Sequence, residues 1–169
     1  MPKFLTLCLL ILMVSCQSES RRSASEVGLI TPKGVTIKTR VAITMKEQEQ
    51  GLSGMQPENF DDNEGMLFYY LDDGDKHFWM PDTYFDLDLF YLDKDLRILD
   101  IVRKLPHHKG RHNEDLIPRA RGVWCRHTLE MKASSPLAAE LKIGDQLQWK
   151  GEIPLSDMDA KARELLGGK

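Results

Sequence analysis

The stretch VTIKTRVAI at residues 35–43 alternates apolar or β-branched side chains with polar or small ones. A period of two sends successive side chains to opposite faces of an extended backbone, so the stretch predicts a strand with one buried face. Further apolar stretches bounded by turn residues also predict strands, at 65–71, 77–80, 86–93, 96–105, 123–131 and 146–150.

Short connections between these strands indicate mostly antiparallel pairing. The turn sequence DDGD at 72–75 predicts a hairpin of 65–71 with 77–80. The turn at Lys94 and Asp95 predicts a second hairpin, formed by 86–93 and 96–105.

Helix starts are predicted from capping residues. Thr44 and Glu47 have the spacing of a capping box and begin a short helix. Ser135 followed by Pro136 begins a second one. A third helix, at the C-terminus, covers about 156–166, and Ser156 and Asp159 have the spacing of its capping box. The 169 residues therefore predict a mainly β (α+β) fold, a small antiparallel β-sandwich or half-open barrel with two short helices and a C-terminal helix.

The start of the chain has the pattern of a signal peptide. Lys3 precedes an apolar stretch at 4–14 that is too short to span a bilayer, and small Ser15 follows it. MVSC at 13–16 resembles a bacterial lipobox, which implies that Cys16 carries a diacylglycerol. Gln17 is not Asp, and the sorting rule that belongs to this resemblance then favours the outer membrane. Cleavage with free secretion is the alternative.

These features divide the chain into four parts. Residues 1–15 are expected to be the signal peptide and 16–26 the lipidated cysteine and a flexible polar tether. Residues 27–153 are expected to be the folded domain and 154–169 a helical tail. The protein is thus expected to be a lipoprotein of the bacterial cell envelope, with the membrane as its partner through the lipid anchor.

Composition excludes several classes of function. A net charge of −3, from 23 basic and 26 acidic residues, leaves no excess of cations to neutralise a nucleic acid, so no nucleic-acid partner is expected. No Gly-rich phosphate loop, Gly-x-Ser-x-Gly elbow or Cys-x-x-Cys pair is present, and no cofactor is predicted. After removal of Cys8 and lipidation of Cys16, Cys125 remains alone and is expected to be a buried thiol.

Several short motifs occur in the order found in the family called domain of unknown function 192. They are GLSGM at 51–55, GMLF at 65–68, FWMPDT at 78–83, LDLF at 87–90, LEM at 129–131 and GD at 144–145. The chain resembles this family over about 36–149, which implies a compact, mainly β domain, often secreted or lipid-anchored, with no established activity. Where the family usually has Lys-Asn, this chain has Pro81-Asp82, and Asp86 replaces a usual proline.

The segment around Trp79 is the leading candidate for a binding site. Its indole offers a flat apolar face, and Asp82, Thr83 and Asp88 place acceptors and a hydroxyl close by. Glu130, between apolar neighbours on another strand, completes the predicted set. An aromatic platform beside carboxylates suits a glycan or cell-wall fragment. The alternative is that the indole is part of the core and that Asp82 and Thr83 bond the backbone of a turn.

Two other functions remain open on the same residues. Asp88 and Glu130 could form the acid–base pair of a hydrolytic enzyme if both face one cleft. The domain could instead be a structural module that docks another envelope protein. The hypothesis we favour is a non-catalytic ligand-binding domain.

Three histidines, His107, His108 and His112, lie close together in a predicted loop at 106–118. Imidazoles can bind zinc or copper. Basic neighbours repel a cation, and no helical ligand spacing is evident, so a solvated basic loop is predicted and no metal site.

Overall fold

The computed structural model describes residues 26–167. The predicted signal peptide, Cys16 and nearly all of the tether lie outside the described residues. In chain order the elements are β1 (Glu26–Ile30), β2 (Thr36–Ala42), α1 (Met45–Gln50), β3 (Glu64–Phe68), β4 (Gly74–Lys76), β5 (Leu87–Leu92), β6 (Ile98–Leu105), β7 (Val123–Cys125), β8 (His127–Lys132), α2 (Pro136–Glu140), β9 (Gln148–Lys150) and α3 (Leu155–Gly167).

Seven strands form one sheet in the order β6-β5-β8-β3-β2-β1-β9, and β4 pairs with β7 in a separate two-stranded ribbon. Strands β2 and β3 run parallel, because the chain crosses over through α1 between them, and the other pairs are antiparallel. The mainly β, α+β class predicted from the sequence is confirmed. Over residues 26–167 the large sheet is open and mixed, and it does not close into a barrel.

Of the two predicted hairpins, one is confirmed and one is wrong. Strands β5 and β6 pair directly, and the Asp93 carboxylate closes their turn by accepting bonds from the backbone N–H groups of Asp95 and Arg97 at 2.9 and 2.8 Å. The hairpin predicted between 65–71 and 77–80 does not form. Strand β3 is a buried central strand with partners on both sides, β2 and β8, while β4 pairs with β7. The stretch predicted as one strand at 123–131 is likewise divided between the ribbon and the sheet.

The helix caps follow the sequence in two of three cases. Thr44 Oγ1 accepts from the Glu47 backbone N–H, and the Glu47 carboxylate accepts from the Thr44 N–H at 2.9 Å, which completes the capping box. Ser135 Oγ accepts from the N–H of Ala138 at 3.2 Å and caps α2. Helix α3 begins at Leu155, and its Asp159 carboxylate accepts a bond from the Tyr69 hydroxyl at 2.6 Å instead of capping the helix.

Each face of the sheet has its own hydrophobic core. The first core, which includes Leu67 and Met131, is covered by α2 and α3 through Ala138, Met158 and Ala162. The second core lies on the other face and includes Met66, Phe68, Leu89 and Tyr91 from the sheet, together with Phe78 and Met80 from the segment after β4. Burial on both faces explains why β5 is buried along its whole length.

The second core also holds Cys125, which is 2% exposed. Burial raises the pKa of its thiol. Low exposure and a raised pKa both oppose thiolate chemistry, so the expectation of a buried thiol is confirmed.

Candidate functional site

A cleft of about 270 Å³ opens over the second core. One wall is α1 with the turn Gly51-Leu52-Ser53, and the other is the segment that follows β4, from His77 to Pro81. Side chains from β3, β5 and β8 complete the lining. Of the predicted site residues, the cleft brings together Trp79, Thr83 and Glu130, whereas Asp82 and Asp88 are not part of its lining.

Trp79 stands at the rim of this cleft with 41% of its surface exposed. Its neighbours Phe78 and Met80 are 8% and 1% exposed and point into the core. Alternation along the extended segment therefore turns the indole outward. A backbone bridge pairs Trp79 with Arg119, whose guanidinium carbon lies 5.1 Å from the indole centroid. This contact steadies the ring and leaves part of it open to solvent.

Glu130 lines the cleft from β8. It pairs with Leu89 on one side and Met66 on the other, both members of the second core, and is only 4% exposed. Burial raises the pKa of its carboxyl to about 8. No group within 26–167 forms a hydrogen bond or an ion pair with this carboxyl, and its oxygens keep a small contact with solvent through the cleft. At neutral pH the group is therefore mostly a neutral carboxylic acid, able to donate a hydrogen bond.

Tyr70, from the segment after β3, lies beside Glu130 in the lining. Burial, and then the nearby Glu130 carboxyl, raise the pKa of its phenol well above the usual range. The Lys76 ammonium lies 3.9 Å from the centroid of the Tyr70 ring. The phenol remains a protonated donor and acceptor at physiological pH.

Asp82 joins the cleft wall to two loops. Its φ of +52° lies in the left-handed region, where Asn and Asp are the common residues apart from glycine. Its backbone N–H donates to the Gly110 carbonyl at 2.7 Å, and its side chain accepts from the Gly110 N–H at 3.2 Å. Its carbonyl accepts from the Gly54 N–H at 2.8 Å. The turn-forming alternative therefore describes Asp82.

Thr83 is 3% exposed, and its N–H donates to the His108 carbonyl at 2.9 Å. Its hydroxyl donates to the Pro81 carbonyl at 3.4 Å. The residue thus combines a turn-forming role with a place in the cleft lining.

The turn Gly51-Leu52-Ser53 is part of the site that the sequence did not identify as such. Ser53 Oγ donates to the Pro81 carbonyl at 2.7 Å, which fastens the first wall to the second. Gly51 has φ +45° and ψ −131°, a conformation that a residue with a side chain adopts only with strain. The sequence signal for this turn is the pair of glycines in the motif GLSGM, Gly51 and Gly54, which both have positive φ in the structure.

Asp88 lies on the opposite face of the sheet from Glu130, and its assignment to the shared surface is wrong. Asp88 pairs with Met131, whereas Leu89 pairs with Glu130, so side-chain alternation separates the two carboxyls. The Asp88 carboxylate accepts from Arg103 Nη1 at 2.6 Å and from the Lys104 N–H at 2.8 Å. The proposed acid–base pair of Asp88 and Glu130 therefore cannot act on one substrate.

The three histidines do not converge. His107 Nδ1 lies 2.7 Å from the Asp86 carboxylate, and this contact lowers the pKa of Asp86. The rings of His108 and His112 are 6.2 Å apart. In the described part of the chain, no group of three or more His, Cys, Asp or Glu side chains is arranged to hold a metal ion. The loop instead supports the cleft wall through the carbonyls of His108 and Gly110.

Comparisons with known proteins support the fold and leave the activity open. The model of the DUF192 family, described as an uncharacterized ACR, matches residues 28–149. A crystal structure of a protein from Sinorhizobium meliloti 1021, proposed to be a transcription regulator, is 27% identical with a TM-score of 0.60, covering 75% of this chain and 95% of that one. A protein of unknown function from Novosphingobium aromaticivorans is 23% identical with a TM-score of 0.58, covering 73% and 84%. No curated protein matches. Within 26–167 no helix is long and apolar enough to cross a membrane.

Proposed function

The chain belongs to the DUF192 family, and from this premise, which brings a fold and no activity, we propose that it is a non-catalytic binding domain for a short glycan or cell-wall fragment. The observation that carries the proposal is the half-exposed indole of Trp79 at the rim of a cleft whose lining includes Tyr70, Thr83 and Glu130. The C–H face of a sugar ring packs on such an indole, and its hydroxyls bond to the polar groups below.

The size of the cleft supports a small ligand. Its volume of about 270 Å³ falls just under the range of pockets that bind drug-sized molecules, roughly 300–1,000 Å³. The walls are held by backbone bonds on both sides of Asp82, so the cleft is largely formed before a ligand arrives. A preformed wall lowers the entropy lost on binding.

The proposal is for binding without turnover because the two carboxyls first considered as a pair lie on opposite faces of the sheet. A docking module for another envelope protein remains the competing function. The net charge of −3 gives no support to a nucleic-acid-binding role of the kind suggested by the description of the Sinorhizobium protein.

Attachment to the outer membrane of the bacterial envelope through Cys16 is part of the proposal and rests on the sequence pattern alone. Labelling of the expressed full-length protein with a radioactive fatty acid should mark the wild type and not Cys16→Ser. The substitution Gln17→Asp should move the protein toward the inner membrane, as measured by membrane fractionation. Equal labelling of the wild type and Cys16→Ser would remove the lipid anchor from the proposal.

The binding function is tested by calorimetric and fluorescence titration with purified cell-wall glycan fragments. Trp79→Ala should weaken binding by at least about tenfold, as loss of a stacked aromatic platform does. Trp124→Ala is the matched control, since Trp124 is 70% exposed and lies outside the cleft. Wild-type protein that binds no fragment, together with a crosslinked protein partner, would favour the docking module. Release of shortened glycans, detected by mass spectrometry, would contradict the non-catalytic part.

A further inference from the structure

The carboxylate-bearing and cationic side chains of the cleft are unevenly distributed: the lining holds acids, and the nearby cations lie outside it, Arg119 against the Trp79 ring and Lys76 against the Tyr70 ring. The lining contains the carboxyl groups of Glu49 and Glu130 and no lysine or arginine. His77, the remaining titratable base of the lining, has its Nε2 atom 2.9 Å from the Asp75 carboxylate. A cavity with unmatched acids and no fixed cation is complementary to a ligand that brings its own positive charge.

Glu130 is the buried one of these two acids, whereas Glu49 is exposed. Glu130 is 4% exposed and borders the cleft, and no residue in the described part of the chain bonds its carboxyl. Buried carboxyls in proteins are normally paired, because an isolated charge in a low-dielectric site is costly. An unpaired one that faces an open cleft indicates a partner supplied from outside.

The groups that face Glu130 offer no such partner. Tyr70 and Tyr91 lie within its electrostatic reach, and both phenols have pKa values raised above their usual range. Cys125 lies beside these tyrosines, and burial raises the pKa of its thiol too. All three are neutral at physiological pH. The ammonium of Lys76 lies over the Tyr70 ring, outside the lining, and Glu49 is an exposed acid on α1.

We propose that the cleft selects an amino sugar, with the ligand's primary ammonium group on the Glu130 carboxylate and its ring against Trp79. The inference rests on the proposed glycan-binding function and adds the charge of the ligand. Trp79 sets the preference for a ring with a C–H face, and Glu130 sets the preference for a cation.

Binding of this kind is linked to a proton. In the free protein Glu130 holds its proton at neutral pH, because burial raises its pKa to about 8. When the ammonium arrives, the carboxylic acid becomes a carboxylate paired with the cation, and its proton leaves for solvent. One ligand bound therefore releases up to one proton, and affinity rises with pH as long as the amine stays protonated.

The experiment compares a β-linked glucosamine trisaccharide with its N-acetylated counterpart, which has the same rings and no charge. Calorimetry at about pH 6.5, where both the carboxyl and the amine hold protons, is run in two buffers of different ionisation enthalpy to count the protons released. The wild type should prefer the amino form by about tenfold, which is what remains of a stronger charge-pair coupling after the cost of removing the Glu130 proton at this pH. It should also release close to one proton.

Glu130→Gln should abolish both the preference and the proton release, so that the two trisaccharides bind this variant with equal affinity. Glu49→Gln, which removes the exposed acid at the mouth, is the matched control and should change the preference by less than about twofold. Ethanolamine tests the amine without the sugar and should bind at least about tenfold more weakly than the amino trisaccharide.

Equal wild-type affinity for the two trisaccharides would overturn the inference and leave the glycan-binding function standing. Lack of binding to either sugar would overturn both. Ethanolamine that binds as tightly as the trisaccharide would overturn the assignment to an amino sugar. The wild-type comparison decides the matter even where Glu130→Gln fails to fold.

Discussion

Asp88 and Glu130 occupy neighbouring register positions on β5 and β8, yet their carboxyls project to opposite faces of the sheet, because Asp88 pairs with Met131 and Leu89 pairs with Glu130. The environments of the two acids differ accordingly. Asp88 is neutralised by Arg103 and a backbone N–H, whereas Glu130 has no partner. Asp88 and Glu130 are therefore almost equally buried, but Asp88 forms a structural ion pair on one face of the sheet and Glu130 is a candidate ligand-binding group on the other.

Asp88→Ala should lower the free energy of unfolding by about 2–4 kcal/mol, because it leaves the Arg103 guanidinium without its carboxylate partner. The same guanidinium donates to the carbonyls of Ala138 and Leu141 at the end of α2. Urea denaturation measures the loss. Asp86→Ala, which removes an exposed contact to His107, is the control and should cost less than about 1 kcal/mol. Ligand affinity of the folded Asp88→Ala protein should be unchanged, and a selective loss of binding would place Asp88 in the site after all.

The contribution of Glu130 to the free energy of unfolding should fall as pH rises from about 4.5 to about 8, and the wild type itself should lose stability above about pH 6.5, where His127 no longer titrates in the opposite direction. The folded-state pKa of Glu130 is raised from 4.5 to about 8 by burial, so its stabilising contribution is fully present below about pH 4.5 and is lost as pH rises through about 8. A shift of this size corresponds to up to about 5 kcal/mol. Chemical denaturation at a series of pH values should show a flatter profile for Glu130→Gln, and parallel profiles would refute the raised pKa.

His127 should produce the opposite slope in acid. Burial, and then Arg126, lower the pKa of His127 to about 3 from its model-peptide value of 6.5. Its stabilising contribution is therefore present above about pH 6.5 and is lost as pH falls toward about 3. Its Nδ1 accepts a bond from the Tyr70 backbone N–H at 3.2 Å.

The variant His127→Asn keeps a side-chain acceptor for that N–H and cannot titrate. It should be less stable than the wild type at neutral pH, because it loses the stacking on Tyr69 at 4.3 Å between ring centroids. Its unfolding free energy should nevertheless depend less on pH between about 3 and 6.5. An acid profile identical to that of the wild type would show that other groups control this range.

Gly51→Ala should destabilise the protein by about 1–3 kcal/mol and also weaken ligand binding. The new Cβ would lie 3.1 Å from Cζ of Phe68 and would occupy a backbone conformation with φ +45°. Gly34→Ala is the matched control, because Gly34 has φ +79° with no atom within 4 Å of its Cβ position. Its cost should be about 1 kcal/mol with binding unaffected. Equal effects of the two substitutions on stability and on affinity would contradict the proposed role of the Gly51 turn.

Local signals in the sequence were sufficient to predict most of the strands and helices. The alternation at 35–43, the Thr44–Glu47 capping box and the turn after β5 each act over a few residues, and each is observed. The partners of β3 were not predictable in this way. They depend on a parallel crossover and on β8, some 60 residues later in the chain, and not on the nearest turn.

The candidate site was predictable only in part, for a physical reason. Trp79 was predicted as the platform of the site with a core position as the alternative, and the structure decides between them because Phe78 and Met80 fill the core side of that segment. Asp88 and Glu130 could not be assigned to faces, because both faces of the sheet are buried there and alternation carries no signal. The fixed conformation of Gly51 became evident only with the second wall of the cleft in place.

The pairing of β1 with β9 joins Gly28 to Lys150 at one edge of the sheet. During synthesis the first of these strands leaves the ribosome long before the second exists. Until β9 has been synthesised, the outer backbone N–H and C=O groups of β1 have no hydrogen-bond partner. An unpaired edge of this kind can pair with a strand of another chain. Native assembly therefore depends on the last quarter of the chain and is expected to be slow for a domain of this size. C-terminally shortened chains should aggregate more readily than chains shortened before β1.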